Sequence, residues 1–355
     1  IFARSYKRPL LMHVATHGYD LGHRHDDVDD LTHAKEYVRE GTPQAADLDR
    51  LLRSSVWAGR LSAASPSDLP TMPPFLTEKR SGGYRLLVDC TASGHNGAVK
   101  KRQSELRCEL ARVPEIARSM RTVRRTARSR GTKPTLMTCD IISAFDQLPI
   151  GGIASELLAL QWAGVRLQAN TAPQGHSRSA HLLATMSTEL AKCLQIALQP
   201  IRARVHVYAD DLVIILPNAA DVSAVKLMLR CWTASLGLAL AKWEVSADAL
   251  PYLGCRLDIS GSPRVGFDTS RISDIVDLAR LASCRRATAS QLRRLAGKCT
   301  FIASVIKPVQ HIASAVAACI LATGRIDDAS AAHARRMASL LESMHLERQV
   351  VWWPA

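Results

Sequence analysis

Apolar and polar positions alternate in short blocks through the middle of the chain. Phe75 to Asp89 reads as two strand-like pieces around Ser81-Gly82-Gly83, a hairpin signal. Thr135 to Ala144 is an apolar run holding one acid, Asp140, the pattern of a buried strand. In 205–216 two apolar runs flank Asp210-Asp211, which predicts strand, tight turn, strand. A further strand piece falls at 251–259. Helical spacing runs through 177–199 (Leu182, Leu183, Met186, Leu190, Leu194, Leu198) and through 220–236. Three or four helical segments then begin near Thr269, Thr288, Val309 and Ser330. Strands mixed with helices, followed by helices alone, predict an α+β unit and then a helical one.

The flanks are less patterned. Residues 1–61 form an N-terminal segment without a defined role. They mix His13, His17, His23 and His25 with Asp26, Asp27, Asp29 and Asp30, in no zinc-ligand spacing, so a solvated surface is expected. Residues 62–74 are rich in Ser and Pro and read as a linker. The α+β unit then spans 75–265, a helical unit 266–325 and a C-terminal helical segment 326–355. The uncharged stretch 308–324 opens with Pro and holds Gln310 and His311, so it reads as a buried helix and no membrane span is expected. The chain opens on Ile1, so it is expected to be a piece of something longer.

At 355 residues, 47% hydrophobic and 22% charged, the composition is that of a globular protein and excludes wholesale disorder. Lys and Arg number 46 against 32 Asp and Glu, a net charge of 46 − 32 = +14. Such an excess points to a polyanionic partner, nucleic acid first. Much of it lies in 99–133, where Arg112, Arg118, Arg121, Arg124, Arg125, Arg128 and Arg130 face few acids. That stretch is either a solvated helix face or a phosphate-contacting surface. The nine cysteines are dispersed and contain no C-x-x-C pair, which argues against a zinc ribbon and for a reducing intracellular compartment.

Two adjacent carboxylates between apolar strands repel one another and are costly to desolvate. A divalent cation resolves the conflict. Asp140 is the natural third ligand, because antiparallel pairing of its strand with the 205–216 hairpin would bring it to Asp210. Alternation turns Cys139 to the other face, and His206 is too far along an extended strand to share the ion. Three carboxylates suit Mg2+ over Zn2+. Two Mg2+ ions, with Mn2+ able to substitute, are the usual arrangement for in-line phosphoryl transfer.

Taken in order, these motifs resemble those of a reverse transcriptase, from about Lys79 to Pro308. Glu78-Lys79-Arg80 through Tyr84-Arg85 to Asp89 resembles the fingers hairpin, which implies that Lys79 and Arg85 grip the incoming triphosphate. Asn96 resembles the Asn that follows it. Asp140 to Asp146 resembles the first catalytic motif, with Phe145 as the steric gate under the sugar. Ala172-Pro173-Gln174-Gly175 resembles the motif whose Gln contacts nucleotide or template. Tyr208-Ala209-Asp210-Asp211 resembles the catalytic turn, and Leu236-Gly237-Leu238 with Lys242 the motif whose Lys is a candidate proton donor to pyrophosphate. Tyr252-Leu253-Gly254 resembles the primer grip. The helices from Arg271 to Pro308 resemble the thumb, where Arg293, Arg294 and Lys298 would track a duplex.

The resemblance implies a right-hand polymerase fold with fingers, antiparallel-sheet palm and helical thumb. It implies RNA-directed DNA polymerase activity, with RNA template, DNA primer, RNA–DNA hybrid and dNTPs as partners. The motif set is closer to LTR-type or tyrosine-recombinase (DIRS-like) retroelements than to non-LTR ones. Ser143 departs from the Asp of many retroviral-type enzymes. No RNase H carboxylate set is recognisable before Ala355. Two other readings remain open at this point: an inactive relic that only binds nucleic acid, and a polymerase of another template or substrate class.

Overall fold

The computed structural model describes residues 19–65, 68–79, 82–100, 110–151, 155–343 and 350–354. His13, His17, Arg80, Ser81 and the basic residues of 101–109 lie outside the described residues.

The described strands and helices are named in chain order. Strands β1 (Tyr19–Asp20) and β2 (Leu61–Ala63) flank helix α1 (Pro43–Trp57). The hairpin β3 (Pro74–Glu78) and β4 (Tyr84–Val88) leads to helices α2 (His95–Lys100) and α3 (Val113–Arg130). Strands β5 (Thr135–Ile141), β6 (Ile150–Gly151), β7 (Ala159–Trp162) and β8 (Val165–Ala169) precede helix α4 (Ser177–Ala197). Then come β9 (Arg204–Tyr208), β10 (Asp211–Leu216), helix α5 (Val222–Ser235) and β11 (Leu240–Ser246). The last third holds β12 (Ala249–Tyr252), β13 (Cys255–Asp258), β14 (Arg264–Asp268), helices α6 (Thr269–Ser283), α7 (Ala289–Val305), α8 (Gln310–Thr323) and α9 (Asp328–Ser343), and β15 (Val350–Pro354).

The central sheet is antiparallel, in the order β11-β5-β10-β9. Period-two alternation divides its side chains between two cores. Met137, Cys139, Ile141, Leu212, Ile214 and Leu216 face one core, against α4 and α5. Leu136, Val213 and Ile215 face the other, shared with α3, the β12–β14 sheet and the last four helices. The parity that buries Cys139 at 1% exposure therefore turns Asp140 and Asp211 to the opposite side.

The β3–β4 hairpin stands where the Gly-rich turn predicts it, with Glu78 opposite Tyr84. The last helices also begin near the expected positions. Thr288 caps α7 in a capping box with Gln291, which satisfies two backbone donors.

Five expectations are corrected. The supposed linker 62–74 is built into the fold: Leu61–Ala63 pairs with β8, and buried Met72 bridges Leu160. The small polar residues there fill an edge strand and its approach. His23 and Asp27, expected in solvent, are buried at 5% and 2% exposure. The strand piece at 251–259 is two strands, because Leu253 and Gly254 take positive φ (48° and 75°) in a two-residue turn. Lys242, in a stretch for which no strand is expected, lies on β11 at a register shift between Ala241 and Glu244. The end of the C-terminal segment, expected to be helical, contains β15, whose Val and Trp residues pair with β14.

Candidate active site

Tyr208 pairs with Asp211 across a two-residue turn formed by Ala209 and Asp210, with Ala209 at φ 53°. A non-glycine residue there costs on the order of 1 kcal/mol, a strain that functional turns commonly carry. Asp140 lies directly opposite Asp211 in the β5–β10 register, not opposite Asp210 as the sequence pattern suggests. The Asp210 backbone carbonyl instead accepts from Ile141 N at 2.9 Å. The three acids thus meet at one end of the central sheet.

Their electrostatics are those of a crowded carboxylate site. Burial, a hydrogen bond with the Asp140 carboxyl, and the charges of Asp140 and Asp210 push the Asp211 carboxyl up to about 7. The Lys242 ammonium opposes this and donates to Asp140 Oδ2. That bond, with the Asp140 charge, raises the lysine pKa in turn. Lys242 therefore supplies the cation that the acids hold. Among the described residues, no group of three or more His, Cys, Asp or Glu side chains stands in a metal-holding array. The donor set nonetheless fits a hard cation, since Asp140 and Asp211 face one another in register, Asp210 adds its charge, and the Lys242 ammonium is drawn onto Asp140.

Below the site, Tyr252 is buried and donates its hydroxyl to the Asp211 backbone carbonyl at 2.9 Å. Burial and the Asp211 charge raise its pKa, so it stays a donor. Leu253 and Gly254 form the turn beyond it.

Phe145 is half-buried in a short 3-10 turn, Ala144–Gln147, that follows β5. Gln147 ties this turn to the β11 approach, accepting from Ala239 N at 2.6 Å. Asp146 is held by Arg60 at 3.0 Å; burial raises its pKa, and the Arg60 and Lys79 charges and a Ser143 hydrogen bond pull against that. The fingers hairpin thus reaches this corner. Lys79 and Arg85 are both exposed on it, and Lys79 N donates to Gly83 O at 2.9 Å.

Gln174 and Gly175 lie beside the base of that hairpin. Val88 N donates to the Gln174 carbonyl at 2.9 Å. Gly175 has φ 120°, and an added Cβ would overlap the Val88 carbonyl oxygen, so only glycine fits. Asn96 fixes the loop, donating to the Gly175 carbonyl at 3.1 Å and accepting from Ser177 N at 2.7 Å.

The thumb residues lie elsewhere. Arg294 and Lys298 on α7 both bridge to Asp274 of α6, at 2.5 and 2.7 Å, and hold that carboxyl below its usual range. Arg293 is exposed on the same helix.

The sequence pattern did not signal Arg60, or the buried group behind the Gln174 loop. There His23 Nε2 lies 3.0 Å from His176 Nε2, and His95 Nε2 lies 2.8 Å from the Leu157 carbonyl. Each is a single residue far from its partner in sequence, so no local pattern could reveal it.

A fold with this sheet and these helices has a solved counterpart. The chain aligns over 93% of its length, at TM-score 0.53 and 14% identity, with a foamy viral protease-reverse transcriptase solved in complex with double-stranded DNA. It spans about half of that protein, 54%. At this identity the likeness shows the fold, a right-hand polymerase architecture. No curated protein matches the chain. The family model for reverse transcriptase (RNA-dependent DNA polymerase) matches residues 77–257, a range that holds the second strand of the fingers hairpin, the three acids and Tyr252. The chain belongs to the reverse transcriptase family.

Proposed function

We propose that the chain is the RNA-directed DNA polymerase of a retrotransposon, LTR-type or DIRS-like, adding dNTPs to a primer 3′-hydroxyl on an RNA or DNA template. The observation that carries this reading is the register of Asp140 opposite Asp211, with Asp210 in the adjoining turn. Asp140, Asp210 and Asp211 are the residues that would hold two Mg2+ ions, which when bound supply the positive charge for ionising the hydroxyl and stabilising pyrophosphate.

The remaining roles belong to side chains around this centre. Lys79 and Arg85 carry exposed positive charge on the fingers hairpin and suit a triphosphate. The Phe145 ring suits a gate against a 2′-hydroxyl, and Gln174 on its braced loop suits the nucleotide or its template base. Lys242 neutralises Asp140 until substrate arrives, and its ammonium can then give a proton to the leaving pyrophosphate. Tyr252, Leu253 and Gly254 brace the primer terminus, and Arg293, Arg294 and Lys298 face the duplex beyond it. RNA template, DNA primer, their hybrid and dNTPs are the proposed partners. Among the described residues no helix is long and apolar enough to cross a membrane. The free cysteines suit a reducing compartment.

Primer extension on poly(rA)/oligo(dT) with dTTP and Mg2+ tests the reading. Extension by the wild type, lost in an Asp210→Asn, Asp211→Asn double variant, is the expected result. A folded wild type that binds template–primer and extends nothing would leave a nucleic-acid-binding relic. Extension with rNTPs in preference to dNTPs would indicate a polymerase of another class.

A further inference from the structure

Helix α3 has a two-sided sequence that the proposed chemistry does not use. Ile116, Met120 and Val123 are buried against the central sheet and the thumb helices, and Ala127 is buried on the same face. Arg118, Arg121, Arg125 and Arg128 fall on the opposite face, at i, i+3, i+7 and i+10, and all are exposed. None of these four is in an ion pair with a carboxylate among the described residues; Arg118 donates only to the Pro114 carbonyl, at 3.4 Å. Like charges at this spacing cost a helix a few tenths of a kcal/mol per pair.

The place of α3 gives this row a use. His206 on β9 contacts Ser119 Oγ at 2.8 Å, and Ala111 N donates to Val207 O at 3.1 Å, so α3 lies across the sheet. It lies on the Asp140–Asp211 side, because it shares a core with Val213 and Ile215, which have the parity of Asp211 on β10. His206 is opposite Val213, about 7 Å along the strand from Asp211. The arginine row points away from the sheet, out of the side that carries the acids. Its ten-residue rise is about 15 Å, or roughly four steps of a nucleic-acid strand.

We infer that the Arg118–Arg121–Arg125–Arg128 row is a phosphate-contacting track for the template–primer duplex as it leaves the carboxylate site. This inference rests on the polymerase reading and adds a surface to it. The apolar face of α3 is spent in the core, so the helix cannot insert into a lipid surface as an amphipathic membrane helix does. A regular row of guanidinium groups without carboxylate partners among the described residues is matched by a regular row of phosphates.

The test is anisotropy of a labelled poly(rA)/oligo(dT) duplex with the full chain, between about 50 and 200 mM salt. Three charge-matched variants are compared: Arg121→Gln with Arg125→Gln, Arg118→Gln with Arg128→Gln, and Arg335→Gln with Arg336→Gln on the exposed face of α9. Gln keeps helix propensity close to that of Arg, and circular dichroism confirms folding. Each α3 pair should make the slope of log affinity against log salt shallower by about 2. The affinity should fall about tenfold in mid-range salt, while the α9 pair leaves the slope unchanged. Wild-type slope in both α3 pairs, or equal losses in the α9 pair, would overturn the track and leave the polymerase reading standing. Failure of the wild type to bind the duplex at all would overturn both.

Discussion

The Tyr252 hydroxyl and the Asp211 backbone carbonyl meet at 2.9 Å, although 41 residues separate them in sequence. This bond locks the β12–β13 hairpin to the strand that carries Asp211, one of the three proposed metal-holding acids. Tyr252 is 5% exposed, and Phe in its place leaves the part-buried Asp211 carbonyl short of one donor. The expected cost for Tyr252→Phe is about 1 kcal/mol. Thermal unfolding should fall by a few degrees, and single-nucleotide incorporation should drop several-fold. Unchanged incorporation would show that the hairpin does not set the position of Asp211.

Gly175 offers a sharper case. With φ 120° and the Val88 carbonyl where a Cβ would stand, Gly175→Ala must move either the Gln174 loop or the fingers hairpin. A destabilisation on the order of 2 kcal/mol is expected. The dNTP KM should rise more than kcat falls, since in the proposed reading the loop and the hairpin both border the nucleotide. Chemical denaturation and steady-state kinetics on the same preparation check both.

The legible parts of this chain were those with a local signature. Turn glycines marked the β3–β4 hairpin, a helical segment beginning near Thr288 marked α7, and two adjacent acids between apolar runs marked the β9–β10 turn. The register that sets Asp140 against Asp211 was missed by one residue, because strand length alone does not fix pairing. The strands β7, β8 and β11 were not anticipated; Ala163 and Gly164 turn between the first two at positive φ, and Ala is a weak turn signal. The N-terminal histidines and acids looked solvated because polarity is the usual mark of a surface. Yet His23 is buried beside His176, contributed from 153 residues away, and Asp27 is buried beside His23.

Two histidines, His176 buried and His206 partly buried, give the protein a calculable acid response. Burial lowers His206 to about 4, with Glu115 opposing and Arg204 adding to the fall. Burial, with the charges of His23, His95 and Arg178, lowers His176 to about 3. In the unfolded chain both titrate near 6.5. The unfolded state therefore binds more protons below that pH, and stability present at pH 7 is lost as the pH falls. The loss should reach about 2 kcal/mol per histidine by pH 5. Urea midpoints measured from pH 7 to 5 should decline, and His206→Gln should flatten the decline. A midpoint constant across that range would mean that neither ring is buried neutral.

Arg60 bridges to Asp146 at 3.0 Å, one residue beyond Phe145, and so brings the N-terminal segment to the corner proposed for the nucleotide. The segment is anchored there a second time, since Asn170 N donates to the Arg60 carbonyl at 2.9 Å and Asn170 Nδ2 donates to Gly59 O at 3.1 Å. The bridge is partly exposed, so its share of global stability should stay below about 1 kcal/mol. Its consequence is local. Without the guanidinium, burial pushes Asp146 further toward its neutral form, and the short turn that carries the Phe145 ring loses a tether. Arg60→Ala should therefore raise the dNTP KM several-fold with little change in kcat or melting temperature. It should also narrow the preference for dNTP over rNTP, because a loosened ring excludes a 2′-hydroxyl less well. Arg60→Lys, which keeps the charge, should recover most of the KM. Equal kinetic constants and equal sugar discrimination in wild type and Arg60→Ala would confine the N-terminal segment to a scaffolding role.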